Sequence, residues 1–379
     1  MNRIIKIGMD VHSKNYTLCA VEPRLGEEEQ VLFTKEVAAD YKEVLKFISL
    51  MKKSLGKKDS YDITCGYEAG CLGYSLYHQL TKENVHCVIL APSTMLTSKG
   101  KRIKTDSRDA RLIASCLANG KYSAVHIPTK EENAVTSYIR MRTDHKISLK
   151  KLKQQINAFC LKYGFYYVPA KWTQVHLKWL KNLQFDTDLE REVLDEYLDS
   201  YYCLQDKINR LDARIQELSQ QKEYASKVKE LSCFRGIKAP TALALVVEVG
   251  DFSRFLKARQ FAAYLGLVPG EHSSGDDKTR LSLTKAGNSH LRMLLVEASS
   301  SLCRGKTYCK SKALRKRQEG NEPDVIAYAD KANRRLHKKY DEMIERGKTR
   351  NVAVAAVARE LACFIWGMMN GKTDLLRTA

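Results

Sequence analysis

The stretch IKIGMDVH, residues 5–12, alternates apolar side chains at odd positions with polar side chains or glycine at even positions. A period of two predicts a β-strand with one buried face. Similar patterns predict strands over Tyr16–Val21 and Val31–Val37, and the elements after them alternate between helix and strand over Tyr41–Leu55, Ile63–Tyr67, Leu72–Lys82 and Val85–Leu90. Three meandering strands followed by this alternation predict an α/β domain with a mixed sheet over residues 1–125.

Residues 126–230 are predicted to form a helical, coiled-coil segment, because apolar residues recur there at alternating steps of three and four. This seam consists of Leu194, Tyr197, Tyr201, Leu204, Ile208, Leu211, Ile215 and Leu218, and a second runs from Leu149 to Tyr163. Such a seam buries one stripe of a helix against another helix. The two seams can pair within one chain or between chains. Their length favours at least partial use between chains, in a homo-oligomer (dimer or tetramer).

Residues 231–379 are predicted to be mainly helical, with loops at Gly236, Gly250, Pro269-Gly270 and Gly287. The stretch Phe234–Ala242 is similar to the hairpin of a helix-hairpin-helix unit. In such a hairpin the backbone N–H groups of a glycine turn bind a phosphate beside a helix N-terminus. A plain turn between two helices explains the same stretch equally well.

The charge balance favours a polyanionic partner. The 379 residues include 64 Lys and Arg against 44 Asp and Glu, which gives a net charge of +20. Nucleic acid is the commonest partner for such a surplus. None of the 11 cysteines forms a CxxC pair, which argues against zinc-ribbon and thioredoxin-type sites. Unpaired thiols and the lack of a long apolar run predict a cytoplasmic protein without a membrane span.

Two acidic residues end predicted strands. Asp10 ends the first strand, whose other face is wholly apolar. Glu68 ends a later strand between Gly66 and Gly70, where the glycines allow close approach of backbone and ligand.

Two further acids open a predicted helix that begins after Thr105, a candidate N-cap. Asp106 and Asp109 are spaced i and i+3, so they share a face of this helix. Ile113 and Leu117 continue that face towards the core. The first turn of a core-facing stripe therefore carries carboxylates.

A shared metal site accounts for all four acids. Buried carboxylates need a counter-charge, and two Mg²⁺ ions about 3.5–4 Å apart can hold the attacking and leaving oxygens of a phosphodiester. Ligands that are all oxygen suit Mg²⁺ or Mn²⁺. Taken singly, Asp106 and Asp109 can instead complement the helix dipole, and Glu68 can cap the next helix. The order of strand-end Asp, strand-end Glu and helical Asp-x-x-Asp favours the metal.

Several stretches together resemble the DEDD-type insertion-sequence transposases, relatives of the pilin-gene invertase. They are GMDVHSK at 8–14, YEAG at 67–70, KTDSRDA at 104–110, GLVP at 266–269, SSG at 273–275, GNSHLR at 287–292 and the segment 350–366. The resemblance implies a RuvC-like RNase H fold over 1–125, a coiled-coil segment over 126–230 and a C-terminal transposase domain over 231–379. It also implies a recombinase that acts on double-stranded DNA, at the element ends and the target, under the direction of a structured bridge RNA.

The resemblance also implies a catalytic serine. Ser274 directly precedes Gly275 and matches the family's catalytic serine, with Ser273 as the second choice and His272 as a candidate base. A serine hydroxyl in a loop needs such help to act as a nucleophile.

Basic residues flank both candidate sites and predict phosphate binding. One group, before the Asp-x-x-Asp helix, is Lys99, Lys101, Arg102 and Lys104; a second, around the serine, is Lys278, Arg280, Lys285 and Arg292; a third is Arg334, Arg335, Lys338 and Lys339.

The leading hypothesis is a site-specific recombinase with a covalent serine intermediate. The alternative is a structure-selective nuclease in which water attacks at the same metals. A nucleic-acid-binding protein with a degenerate site is the third hypothesis, and the retention of all four carboxylates argues against it.

Overall fold

The computed structural model describes residues 2–24, 28–56, 60–70, 72–95, 105–274, 277–304 and 310–373. They form two compact units, Met1–Ile127 and Pro128–Ala379. The segments expected at 126–230 and 231–379 lie together in the second unit, except for residues 126 and 127, which belong to the first.

The first unit is a five-stranded mixed sheet with helices on both faces. Its elements are β1 (Asn2–Val11), β2 (Asn15–Glu22), β3 (Gln30–Ala38), α1 (Tyr41–Leu55), β4 (Ser60–Glu68), α2 (Ser75–Lys82), β5 (His86–Leu90) and α3 (Asp106–Ala118). The strand order is β3-β2-β1-β4-β5, with β1 antiparallel to β2 and parallel to β4. The predicted meander and mixed sheet are confirmed.

The alternation along β1 divides its side chains between two cores. Ile5, Ile7 and Met9 are fully buried in a cluster with side chains of α1 and α2, including Phe47 and Leu80. The even positions face the opposite side of the sheet, where α3 packs.

The second unit is mainly helical. Its elements are α4 (Lys130–Lys162), α5 (Gln174–Lys181), α6 (Asp188–Leu218), α7 (Ala225–Leu231), α8 (Ala239–Val249), α9 (Ala258–Tyr264), β6 (Pro269–Ser274), β7 (Asp277–Leu283), α10 (Ser289–Leu302), α11 (Lys312–Gln318), α12 (Pro323–Glu345) and α13 (Arg350–Met369). The antiparallel β6–β7 hairpin corrects the expectation that Pro269-Gly270 and Ser274 lie in loops.

The predicted seams pair within the chain. Leu194, Tyr201 and Ile208 of α6 are buried in one cluster with Leu152 and Ile156 of α4. The far end of the α6 seam, Ile215 and Leu218, contacts the C-terminal core instead. The structure thus shows the seams paired within one protomer, and their additional use between chains stays a prediction.

Helix α13 is the central helix of the second unit. It is the one described helix long and apolar enough to cross a membrane, which the sequence analysis did not anticipate. Of its most apolar stretch, 61% is buried inside the unit. A helix that is apolar on most sides is expected at the centre of a large core.

Candidate active site

Helix α3 lies directly against β1 and β4 because each strand carries a glycine at the contact. A Cβ atom at Gly8 would lie 2.1 Å from the carbonyl oxygen of Ala110 and 2.3 Å from the amide nitrogen of Ala114. A Cβ atom at Gly66 would lie 2.9 Å from the side chain of Leu117. Residues two positions further along each strand face the same helix, and these residues are the two strand-end carboxylates.

Asp10, His12 and Asp106 form a cluster at the N-terminus of α3. The Nε2 atom of His12 lies 3.4 Å from Asp10 Oδ2 and 3.9 Å from Asp106 Oδ1. One potential ligand atom from each residue lies within 4.8 Å of the others. The Asp10 side chain is 19% exposed, whereas those of His12 and Asp106 are 53% and 55% exposed. The cluster is therefore open to solvent on one side.

The other two predicted acids border this cluster. Asp109 is half-buried in the first turn of α3, and its charge acts on Asp10. Glu68 is exposed at the end of β4. The register pairs Met9 with Tyr67, so Asp10 and Glu68 are the next neighbours on strands about 4.8 Å apart. Among the described residues, the group of ligand atoms within 4.8 Å of one another includes Asp10, His12 and Asp106 but not Glu68.

The N-terminus of α3 favours negative charge at this place. Thr105 is the N-cap residue, as predicted, but its side chain accepts no capping hydrogen bond. The dipole of α3 places partial positive charge at this end of the helix, which favours nearby anions.

The electrostatics of the cluster fit a divalent cation. Burial raises the pKa of Asp10; the charges of Asp106 and Asp109 raise it too, while His12 lowers it. Holding these carboxylates ionised side by side costs free energy, and a bound cation removes that cost. Carboxylate oxygens suit hard divalent cations such as Mg²⁺ and Mn²⁺, whereas an imidazole nitrogen is a more usual ligand of Zn²⁺, Fe²⁺ or Ni²⁺.

Gly8→Ala is expected to destabilise the first unit by about 2–3 kcal/mol, because the new methyl group would overlap the backbone of α3. Hydrogen exchange across β1 and α3 measures this free energy of opening. Gly70→Ala is the matched control: the nearest atom to its Cβ would be Glu68 O at 3.9 Å, so the cost is expected to stay within about 0.5 kcal/mol. Equal protection from hydrogen exchange in Gly8→Ala and Gly70→Ala would contradict the close packing of Gly8 against α3.

Ser274 is the last residue of β6, and the register pairs it with Asp277 of β7. Gly275 lies outside the described residues. So do the side chains of His272, Ser273, Ser274, Lys278 and Arg280. The backbone thus places the predicted serine at the end of a short hairpin.

The base of this hairpin is held by Arg292, which was predicted to bind nucleic acid. Its Nη1 atom donates to the carbonyl oxygens of Leu265 at 2.9 Å and Ala286 at 3.2 Å. Gly287 has a φ of +76°, and a Cβ atom there would lie 2.0 Å from Tyr264 O. The two ends of the hairpin are therefore packed against each other.

A buried polar network adjoins the start of α10. The carboxylate of Glu248 is 2% exposed; it pairs with His290 Nδ1 and accepts hydrogen bonds from Arg140 at 2.8 Å and Asn288 at 2.9 Å. Burial alone would raise the pKa of Glu248, but the bonds from His290 and Arg140 lower it. The Nε2 atom of His290 lies 3.0 Å from Thr143 Oγ1. The network joins α4, α8 and α10.

The turn at Gly236 borders a cavity of about 480 Å³. Its φ of +90° and a Cβ position 2.3 Å from Ala298 O require glycine there. The cavity is lined by Arg235, Gly236, Lys238, Ser301, Arg304, Ser311, Ala313, Leu314 and Arg317. Four of the nine lining residues are basic and none is acidic.

The remaining basic residues that were predicted to bind nucleic acid have different surroundings. Lys99, Lys101, Arg102 and Lys104 lie outside the described residues. Lys285 is exposed. In the third group, Arg335 and Lys339 both pair with Glu360, so they join α12 to α13.

Sequence reasoning missed His12 and Glu248 as site residues. His12 is two positions beyond Asp10 in the alternating stretch, which was a usable signal. Glu248 is the one acidic residue in the otherwise apolar helix α8. A lone charge among buried apolar residues indicates a partner, although the sequence does not tell that the partners come from α4 and α10.

Comparisons with known proteins agree with this arrangement. The family model of the IS110 DEDD transposase domain matches residues 7–165, and the model of the IS116/IS110/IS902 transposases matches residues 228–313. The chain is 34% identical to a transposase of Sinorhizobium fredii, y4qE, over 96% of this chain and 87% of that protein.

Two further relatives extend the comparison. The transposase for insertion sequence element IS1533 of Leptospira borgpetersenii is 30% identical over 90% of this chain and 96% of its own length. The pilin gene-inverting protein of Moraxella bovis is 28% identical over 47% of this chain and 46% of its own length. The resemblance described from the motifs is confirmed. The chain belongs to the IS116/IS110/IS902 family of transposases.

Proposed function

We propose that this transposase cleaves and rejoins DNA with divalent metal bound by Asp10, Glu68, Asp106 and Asp109, and with Ser274 as nucleophile. The observation that carries the proposal is the convergence of Asp10, His12 and Asp106 at the N-terminus of α3. The strand order β3-β2-β1-β4-β5, with carboxylates at the ends of β1 and β4, supports a RuvC-like RNase H fold for the first unit.

The carboxylates would hold Mg²⁺ or Mn²⁺, which supplies Lewis-acid stabilisation to the oxygens of a phosphodiester. Asp10 and Asp106 each contribute one carboxylate oxygen, and these two oxygens lie within 4.8 Å of each other. The Nε2 atom of His12 lies within 3.9 Å of both carboxylates and is a further potential ligand. The N-terminus of α3, where the Thr105 side chain makes no capping hydrogen bond, adds the partial positive charge of the helix dipole, which favours a bound phosphate.

Ser274 would form a phosphoester with one DNA strand. Its Oγ bonds to phosphorus, a DNA hydroxyl leaves, and the hydroxyl proton passes to a base, for which His272 is the candidate. Attack by a DNA hydroxyl on that ester then restores a phosphodiester and frees the serine. The rigid base of the hairpin, held by Arg292, supports this role because a nucleophile must be presented in a defined position.

The partners in this proposal are double-stranded DNA at the element ends and the target, and a structured guide RNA. The net charge of +20 supports a polyanionic partner. Lys99, Lys101, Arg102, Lys104, Lys278, Arg280, Lys285 and the unused nitrogens of Arg292 are the proposed phosphate contacts. The basic cavity at Gly236 favours the phosphate-binding explanation of the turn.

A homo-oligomer also belongs to the proposal. A cytoplasmic location is supported by the nine cysteines of the described residues, all of which are free thiols.

Reconstitution tests the function. The full chain is purified with its bound RNA, the RNA is sequenced, and both are incubated with element-end and target DNA and Mg²⁺. We expect a rejoined DNA product that requires the protein, the RNA and the metal. Cut DNA without any rejoined product would favour the alternative, a structure-selective nuclease that uses the carboxylate cluster alone.

A further inference from the structure

The end of the helical arm formed by α4, α5 and α6 carries an unusual concentration of positive charge. Residues 145–185 contain no Asp or Glu. They contain eight lysines, at positions 146, 150, 151, 153, 162, 171, 178 and 181. None of the site residues described above lies in this segment.

Aromatic rings lie among these lysines and contact one another. The ring of Tyr167 packs at a tilt against His176, with centroids 4.5 Å apart, and against Trp179, with centroids 5.0 Å apart. Trp172 stacks on Tyr201 at 5.3 Å. Apart from the buried His176 and Tyr201, these rings are only half-buried, so each keeps part of its surface accessible.

The same segment exposes side chains that a folded chain usually buries. Tyr166 is 71% exposed, Val168 93% and Val175 70%. Among the described large apolar and aromatic residues, only Leu189 and Leu256 are exposed to a comparable degree. Three of these five most exposed residues therefore lie within one stretch of ten residues, 166–175. Clustered exposed apolar side chains mark an interaction site.

The loop that carries this surface is held in a strained conformation. Trp172 has a φ of +67°, which is an unusual backbone angle for a bulky residue. Its N–H donates to His176 Nδ1 at 3.1 Å, and Lys153 Nζ lies 5.2 Å from its ring centroid. Strain of this kind persists where the surroundings enforce it, and it is commonest at functional sites.

The charges around the rings are uneven. Lys153 lies close to Trp172 and Tyr201, and the charge of Lys171 acts on His176. Among the described residues, no acidic side chain forms an ion pair with Lys153, Lys171 or Lys178. By contrast, α6 begins with several acids, including Asp195, which is close to Lys181. A polyanion is therefore attracted to the α4–α5 side and repelled from the start of α6.

We propose that this surface, which we define as Lys153, Tyr166, Tyr167, Lys171, Trp172, Lys178 and Trp179, binds an unpaired nucleic-acid strand. Lysines neutralise backbone phosphates, and aromatic rings stack on bases that are free of a duplex. A duplex hides the faces of its bases, so it gains only the phosphate contacts. The proposal is independent of Ser274 and of metal, because the surface shares no residue with either site.

Fluorescence anisotropy of the full chain in EDTA, which prevents metal-dependent cleavage, tests the proposal. The probes are labelled dT20, rU20 and a 20-base-pair duplex. Tyr166→Ala is expected to weaken binding of at least one single strand about tenfold and to leave duplex binding unchanged. Lys171→Ala with Lys178→Ala is expected to reduce the slope of log K against log salt by about 1.4, since each phosphate contact on a single strand contributes about 0.7.

Matched controls separate this surface from general effects. Leu256→Ala removes a side chain that is 77% exposed elsewhere, and Lys222→Ala removes an exposed charge outside the surface; neither should alter affinity or slope. Single strands should also quench tryptophan fluorescence, since Trp366 is buried and only Trp172 and Trp179 can stack. Loss confined to dT20 identifies unpaired DNA as the ligand, and loss confined to rU20 identifies RNA.

Three results would overturn the proposal. One is wild-type affinity for both single strands in Tyr166→Ala. The second is an equal loss on the duplex. The third is an equal loss in Leu256→Ala. Because Tyr166 is largely exposed, its truncation should leave the thermal unfolding midpoint unchanged, so a binding defect is not a folding defect.

Discussion

Asp10→Asn should abolish DNA strand cleavage and leave DNA binding largely intact. The amide keeps the shape of the side chain but removes the charge that a cation requires, at the least exposed position of the cluster. Loss of a residue that only hydrogen-bonds to a metal ligand already lowers metal affinity or activity about 10–100-fold. Loss of the charge of a ligand itself should therefore reduce the cleavage rate by more than about a hundredfold. Gel shift in EDTA and cleavage of labelled DNA in Mg²⁺ measure the two properties separately.

The thermal stability of Asp10→Asn, measured without metal, distinguishes a loss of chemistry from a loss of folding. Because the pKa of Asp10 is raised in the folded protein, its ionised form opposes folding at neutral pH. Asp10→Asn removes this cost, so thermal stability without metal should not fall. Asp40→Asn is the matched control: Asp40 caps α1 through Lys42 N at 2.9 Å, and asparagine caps equally well. Retained cleavage in Asp10→Asn, or its loss in Asp40→Asn, would contradict the assignment.

Ser274→Ala should eliminate rejoined DNA, with an effect as large as that of Asp10→Asn. A phosphoserine ester preserves the free energy of the phosphodiester, so resealing needs no outside energy source. Attack by water would discard that free energy and leave a break. The serine hydroxyl is a weak nucleophile at neutral pH and has to be activated by a base or a metal. The product assay should therefore show no recombinant DNA in Ser274→Ala and normal amounts in Ser273→Ala.

Much of the first unit could be predicted because its patterns are local. The alternation over residues 5–12 defines β1, and α1 begins and ends at the predicted residues, Tyr41 and Leu55. Binary patterns report which face of an element is buried. They do not report what covers it, so the contact of Gly8 with α3 became clear only from the structure.

The hairpin and the seams show where local patterns stop being informative. Strands β6 and β7 are short, polar and outside the main sheet. Their base is held by Gly287 and Arg292, which follow β7 and contact the residues just before β6. The heptad spacing of α6 identified a buried stripe correctly. It could not identify the partner, because the same spacing suits α4 of the same chain and a helix of another copy.

The acidic residues of the candidate site could be predicted from the sequence, but its histidine and the polar network of Glu248 were not. Asp10, Asp106 and Asp109 were found from their positions at element ends, and the structure brings Asp10 and Asp106 together. His12 adds a nitrogen that a search for acidic residues alone does not find, although it continues the alternation of residues 5–12. The polar network of Glu248 depends on contacts between distant segments, and no single stretch of sequence encodes them.

Covalent capture of DNA tests the central claim most directly. Labelled DNA with the element ends is incubated with protein, copurified RNA and Mg²⁺, and is then run on a denaturing gel. The account predicts a protein–DNA band of retarded mobility with wild type and Ser273→Ala, and none with Ser274→Ala or Asp10→Asn. A band that survives Ser274→Ala, or rejoined DNA from wild type without any covalent band, would contradict it.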